Sequence, residues 1–271
     1  MNTLYQQLAG TSLSDSLARL ESEIKAQPAN ADLRAAFVQL LCLSGNWARA
    51  LVQLKSWLAL KPQAKPTVTL LQQAISGEQQ RIDVMAGRAR PHMPDTQWPW
   101  VAAMVSALGE QGDASHQRRH AALAQADVNP AEITLQDGSV HHSGWLMDGD
   151  ARLGPVCEVI VNGRYAWLPF SAIEEMRFQA PASVTDLVWR HTSVRLVDGT
   201  EQVCQIPARY PLTEPSEERF LLARATEWQA LDGDESQYLG HGQKVWLNDS
   251  EEFPLLTLET LTFSAGDAGH E

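Results

Sequence analysis

The chain of 271 residues carries 21 Lys and Arg against 33 Asp and Glu, a formal net charge of −12, and its length calls for one large core or two smaller ones. The opening MNTLYQQLAGTSLSD has neither the basic nor the apolar region of a secretory signal, and no run reaches the roughly 18–20 apolar residues of a membrane span. The charge is uneven: residues 1–128 hold 12 Lys/Arg and 10 Asp/Glu while residues 129–271 hold 9 and 23, so the second half lacks the clustered cations that bind nucleic-acid phosphates.

The first half reads as helices. In SLSDSLARLESEIKAQP, Leu13, Leu17, Leu20 and Ile24 recur at helical spacing, Ser12 and Asp15 form a cap, and Pro28 ends the segment. NADLRAAFVQLLCLSG puts Leu33, Phe37, Leu40 and Leu41 on one stripe and stops at Gly45. NWARALVQLKSWLALKP then runs from a capping Asn46 to Pro62. A helix, a Gly turn, a helix and a closing Pro over about 34 residues match a tetratricopeptide-type repeat, with Ala50 where the helices cross closely. A plain helical bundle is the competing reading, since the consensus aromatic positions are largely missing. A further helix follows with Pro66 in its first turn, and WPWVAAMVSALGEQGDASHQRRHAALAQADV forms another pair turning at Gly112. The Pro-rich stretch 88–99 is an internal loop.

After Pro130 the period changes. EITLQDGSV, VIVNGRYAW and VRLVDGTEQV each set Asp-Gly or Asn-Gly between β-rich runs, a strong hairpin signal. A two-residue turn at Asn162-Gly163 pairs Val161 with Arg164, Ile160 with Tyr165, Val159 with Ala166 and Glu158 with Trp167. Strand alternation then gives one face of Cys157, Val159, Val161, Ala166 and Leu168, and a second of Glu158, Ile160, Tyr165 and Trp167. At Asp198-Gly199 the same rule sets Val194, Leu196 and Val203 on one side. The expected fold is α+β: a helical repeat-like domain over residues 1–128, then a mainly antiparallel β domain with short helices over residues 129–271.

Chemistry finds few candidates. His141, His142, His191, Cys157 and Cys204 lack metal-ligand spacing, and adjacent strand residues point apart, so no metal site is expected. With Cys42, the cysteines fit free thiols in a reducing cytoplasm. His116 and His120 flank two arginines on a surface helix. LGHGQK (239–244) reads as a turn into a strand, and TEPSEERF (213–220) as a solvated loop and helix start. No nucleophile elbow, phosphate loop or dinucleotide fingerprint occurs. No catalytic or cofactor-binding residue is assigned. Tyr165 and Trp167 are the candidate partner-binding residues, because such rings anchor interfaces, with a second core face as the alternative.

DARLGPVCEVIVNGRYAWLPF (150–170), DLVWR (186–190), LVDGT, IPARYP (206–211), RATEW (224–228) and LGHGQK resemble the ImpE/SciE/TagJ family of bacterial type VI secretion accessory proteins. Cys157, Ala166 and His191 depart from that pattern. The resemblance implies a non-enzymatic cytoplasmic protein that associates with the small subunit of the contractile sheath and is linked to the AAA+ ATPase that disassembles sheath. It implies no cofactor, nucleic acid or membrane. Two alternatives stand beside it: a chaperone-like module for other secretion components, and an enzyme whose interdomain cleft would gather His141, His191 and Glu158.

Overall fold

The computed structural model describes residues 8, 10–93, 98–213, 215–231 and 234–264. Among the described residues six helices precede the strands: α1 (Leu13–Ala26), α2 (Ala31–Leu43), α3 (Trp47–Leu60), α4 (Lys65–Met85), α5 (Pro99–Ala107) and α6 (Gly112–Leu123). Their ends obey local chemistry. Ser12 Oγ accepts from the Asp15 amide at 3.0 Å and Asn46 Oδ1 from the Arg49 amide at 3.3 Å, each satisfying an amide that the first turn leaves open. Asn30, which the sequence reading passed over, caps α2 through the Asp32 and Leu33 amides. Gly45 turns the chain between α2 and α3 at φ +73°, and Ala50 is fully buried at the crossing.

Helix gives way to strand between Leu123 and Ala131. Strands β1 (Ala131–Leu135), β2 (Val140–Ser143), β4 (Val156–Val161), β5 (Arg164–Pro169), β6 (Ile173–Phe178), β7 (Trp189–Leu196), β8 (Glu201–Pro207) and β13 (Leu258–Phe263) form one antiparallel sheet in the order β2-β1-β13-β6-β7-β8-β4-β5. Three short strands, β3 (Met147–Asp148), β11 (Val245–Leu247) and β12 (Glu252–Pro254), make a second sheet. β9 (Thr226–Leu231) and β10 (Asp234–Gly242) make a third, after a one-turn helix α7 (Glu218–Leu221).

The Asn162-Gly163 hairpin has the expected register from Val161 opposite Arg164 to Glu158 opposite Trp167. Both of its faces are buried. Cys157, Val159, Ala166 and Leu168 join a core with Phe170, Trp246 and Phe253, while Ile160, Tyr165 and Trp167 join the core of the helices. Helix α4 is the element laid across this second face. Gly77 permits the approach, since a Cβ there would stand 2.5 Å from the Ile160 side chain.

The β7–β8 hairpin corrects the expectation for Val203. Leu196 donates to the Thr200 carbonyl, leaving a three-residue loop with Gly199 at φ +82°, and Ser193 rather than Val194 stands opposite Val203. One extra loop residue shifts the register by one and turns every side chain of the return strand over. Val203 is therefore 71% exposed while Val194 is buried.

Candidate functional site

Where α4 crosses the sheet, the structure buries charge. Alternation along β4 sends Glu158 to the helix side, and helical spacing puts Glu78 and Arg81 on one face of α4. Arg81 grips Glu158 with two parallel bonds, Nε to Oε1 at 2.7 Å and Nη2 to Oε2 at 2.8 Å. Lys244, just before β11, places Nζ 2.6 Å from both Glu158 Oε2 and Asp148 Oδ2. Tyr165 donates its hydroxyl to Glu158 and accepts from Trp167 Nε1 at 2.8 Å. On the far side, Tyr210 donates to Asp148 at 3.0 Å, and Trp189 Nε1 donates to Glu78 at 3.1 Å. Gly240 makes room for the Tyr210 ring, which a Cβ would meet at 2.2 Å.

Arg209 is buried beside this cluster, and among the described residues no carboxylate is bonded to it. Its guanidinium donates to the carbonyls of Cys42, Leu43 and Leu221, the last turns of α2 and α7. A cation there meets the negative ends of two helices. With the Arg152–Asp150 pair the junction holds four cations and four carboxylates.

Burial would raise the Glu158 carboxyl, but Arg81 and Lys244 outweigh it and hold the group far below its ordinary 4.5. For Asp148 burial prevails over Lys244 and pushes the carboxyl up to about 6. Burial lowers Arg209 to about 10 against the pull of Glu78. Burial also lifts both tyrosines well above 10, with Glu158 adding to the effect at Tyr165 and Asp148 at Tyr210. Glu158, Arg209 and the two tyrosines thus keep one protonation state near neutrality, while Asp148 titrates just below it. Bonds from α4, β3, β4 and the residue before β11 converge on these groups, an arrangement that orients helix against sheet.

Above the junction opens a pocket of about 280 Å³. Arg81, Glu78 and Arg209 contribute to its lining, and Trp47, Ile82, Leu212 and Leu221 supply its apolar wall. It lies where the α2–α3 turn, α4 and α7 meet. Ile82 is 44% exposed although it lies among these apolar side chains.

Tyr165 and Trp167 are not on a surface. Both are at most 1% exposed and face α4, so a partner would reach them only if helix and sheet parted. The other singled-out groups are dispersed. His141 on β2 pairs with Glu251 at 2.8 Å, His191 on β7 lies 3.8 Å from Asp186, and Glu158 lies inside the junction. Burial pushes the Cys42 and Cys204 thiols up to about 12 and lifts Cys157 well above the ordinary thiol range, so none is a thiolate near neutrality. Among the described residues no group of three His, Cys, Asp or Glu side chains is placed to hold a metal ion. Nor is any described helix long and apolar enough to cross a membrane.

Sequence reasoning missed Arg81, Lys244, Asp148 and Arg209. One signal was present: Glu158 interrupts the apolar run VCEVIV on a face otherwise made of Ile160, Tyr165 and Trp167. A charge in such a place requires a buried counter-ion, though not one of known address.

The profile of the ImpE protein matches residues 140–262. Over 261 residues, 94% of this chain and 89% of the relative, the chain is 39% identical to the type VI secretion system accessory component TagJ of Pseudomonas aeruginosa. The chain belongs to the ImpE family. A crystal structure of a Vibrio parahaemolyticus protein shares the fold, with a TM-score of 0.84 at 24% identity over 98% of this chain and 99% of that one. The ImpE profile covers the sheet side of the junction, with Asp148, Glu158, Tyr210 and Lys244, while Glu78 and Arg81 lie before it. The family stretches named above thus carry Glu158, Tyr210 and Lys244 of a buried ionic lock whose other half, Glu78 and Arg81, is on α4.

Proposed function

We propose that this chain is a non-enzymatic cytoplasmic accessory protein of a bacterial type VI secretion system, an adaptor that binds the small subunit of the contractile sheath. The observation that carries this reading is the identity of 39% across 94% of the chain to an accessory component of that machine. Membership in the ImpE family is consistent with it. The adaptor also links the sheath subunit to the AAA+ ATPase that disassembles sheath. Its contact surface is the pocket edge formed by Trp47, Ile82, Leu212 and Leu221, where apolar side chains border buried charge. A helix of the partner laid along the helical half would seat one apolar anchor there.

The test is a pull-down of purified small subunit on the immobilised full chain, repeated with the ATPase added. The reading expects the subunit to be retained and the ATPase to join only in its presence. An immobilised chain that retains no small subunit contradicts the adaptor reading, and an ATPase retained without the subunit contradicts the proposed order of assembly.

A further inference from the structure

A second cavity lies behind the junction, on the opposite face of the β4–β5 hairpin, where Val159, Ala166 and Leu168 alternate with Glu158, Tyr165 and Trp167, and it reaches the Asn162-Gly163 turn. Its volume is about 570 Å³, within the range of small-molecule sites. Val159, Val161, Ala166, Leu168 and Leu196 form its apolar wall, with no Phe, Tyr or Trp among its lining residues. Arg164 stands at its edge with His92, Asn162 and Gln202.

Two observations narrow what fits. Residues 129–271 hold 9 Lys/Arg against 23 Asp/Glu, so a cation there has many carboxylates to choose from. Arg177, Arg195 and Arg219 each take at least one. Arg164 has no carboxylate partner among the described residues, and it borders the apolar wall. Secondly, the adjacent sheet edge is already engaged. The His92 amide donates to the Tyr165 carbonyl at 3.0 Å, the Trp167 amide donates to the His92 carbonyl at 2.9 Å, and the Tyr165 amide donates to Gln80 Oε1 at 3.2 Å. An extended peptide would find few main-chain groups to pair with there, and its affinity would rest on side chains alone. A small molecule needs no such ladder.

We propose that this cavity binds a small anionic amphiphile, an aliphatic chain ending in a carboxylate, with the chain on Val159, Ala166 and Leu168 and the carboxylate on Arg164. The proposal is independent of the sheath-adaptor reading. The aliphatic wall gains from covering apolar area, and the guanidinium gives the head group a charge-assisted bond.

Decanoate, titrated calorimetrically into the full chain below its micelle concentration, is the probe, with decan-1-ol as its neutral counterpart. Saturable one-to-one decanoate binding is expected. Arg164→Gln weakens it roughly tenfold, the size of one bond to a charged group, and leaves decanol unaffected. Ala166→Phe fills the cavity and abolishes binding of both. Should that variant melt abnormally, Leu196→Trp blocks the same space from its partly buried edge. No saturable binding, equal binding by either cavity-filled variant, or preference for an acidic aliphatic peptide over decanoate overturns the proposal.

Discussion

Glu158 is the residue on which the junction turns. Replacing it by Gln leaves Arg81 and Lys244 buried beside a neutral amide, a change that costs about 3–5 kcal/mol when one partner of a buried pair is removed. Chemical denaturation should show that loss, and Arg81→Met combined with Glu158→Leu should recover a large part of it. Acid titration has two opposing contributions. Glu158, held below its ordinary 4.5, contributes stability that is fully present above that pH and is lost as pH falls toward its folded value. Asp148, raised from 3.8 to about 6, contributes in the other sense, with stability present below 3.8 and lost as pH rises through 6. The melting temperature should therefore hold or rise slightly from pH 7 to pH 5 and fall below pH 4.5. Asp148→Asn should remove the first trend and Glu158→Gln the second. A melting temperature that falls steadily from pH 7 to pH 5 would contradict the Asp148 assignment, and one that stays level below pH 4.5 would contradict that of Glu158.

Among the elements, α4 and the two hairpins show what the sequence could and could not specify. The caps at Ser12 and Asn46, the turn at Gly45 and the Asn162-Gly163 register were legible because each depends on chemistry within a few residues. The β7–β8 register was not, because Asp198-Gly199 fits a two-residue or a three-residue loop and only the packing of the whole sheet selects between them. The outcome has a measurable signature: Val203→Ser should change stability by less than about 0.5 kcal/mol, whereas Ile206→Ala on the same strand should cost about 2–5 kcal/mol. On α4, Gly77→Ala should destabilise by about 1–3 kcal/mol through collision with Ile160, and Ile160→Val should relieve part of it. Additive effects in that double-mutant cycle would show that the helix sits elsewhere.

In the molecule as a whole, the helices and one face of the sheet share a core running from Leu13 through Trp57 and Val84 to Ile160, Trp167 and Trp189. That sharing is why the role of Tyr165 and Trp167 was open from sequence. Pattern identifies a ring on a strand face, and only the arrangement of distant elements decides whether the face meets solvent, a partner or the protein's own helix. A chain cut between residues 128 and 129 would expose Ile160, Tyr165 and Trp167 together with Glu158, so the fragment 129–271 should bind a hydrophobic dye and lose near-ultraviolet dichroism. The proposed adaptor role therefore calls for tests on the intact chain, with the pocket over the junction as the place to perturb it.

The most direct measurement is a calorimetric titration of the purified type VI sheath small subunit into the full chain and into Ile82→Arg. Ile82 is 44% exposed at the pocket, so its replacement should leave the melting temperature near that of the parent. The proposed adaptor role predicts saturable binding by the parent and at least roughly tenfold weaker binding by the variant, the loss of one interface anchor. No binding by the parent would contradict the adaptor role, and equal binding by the two would contradict its placement at this pocket.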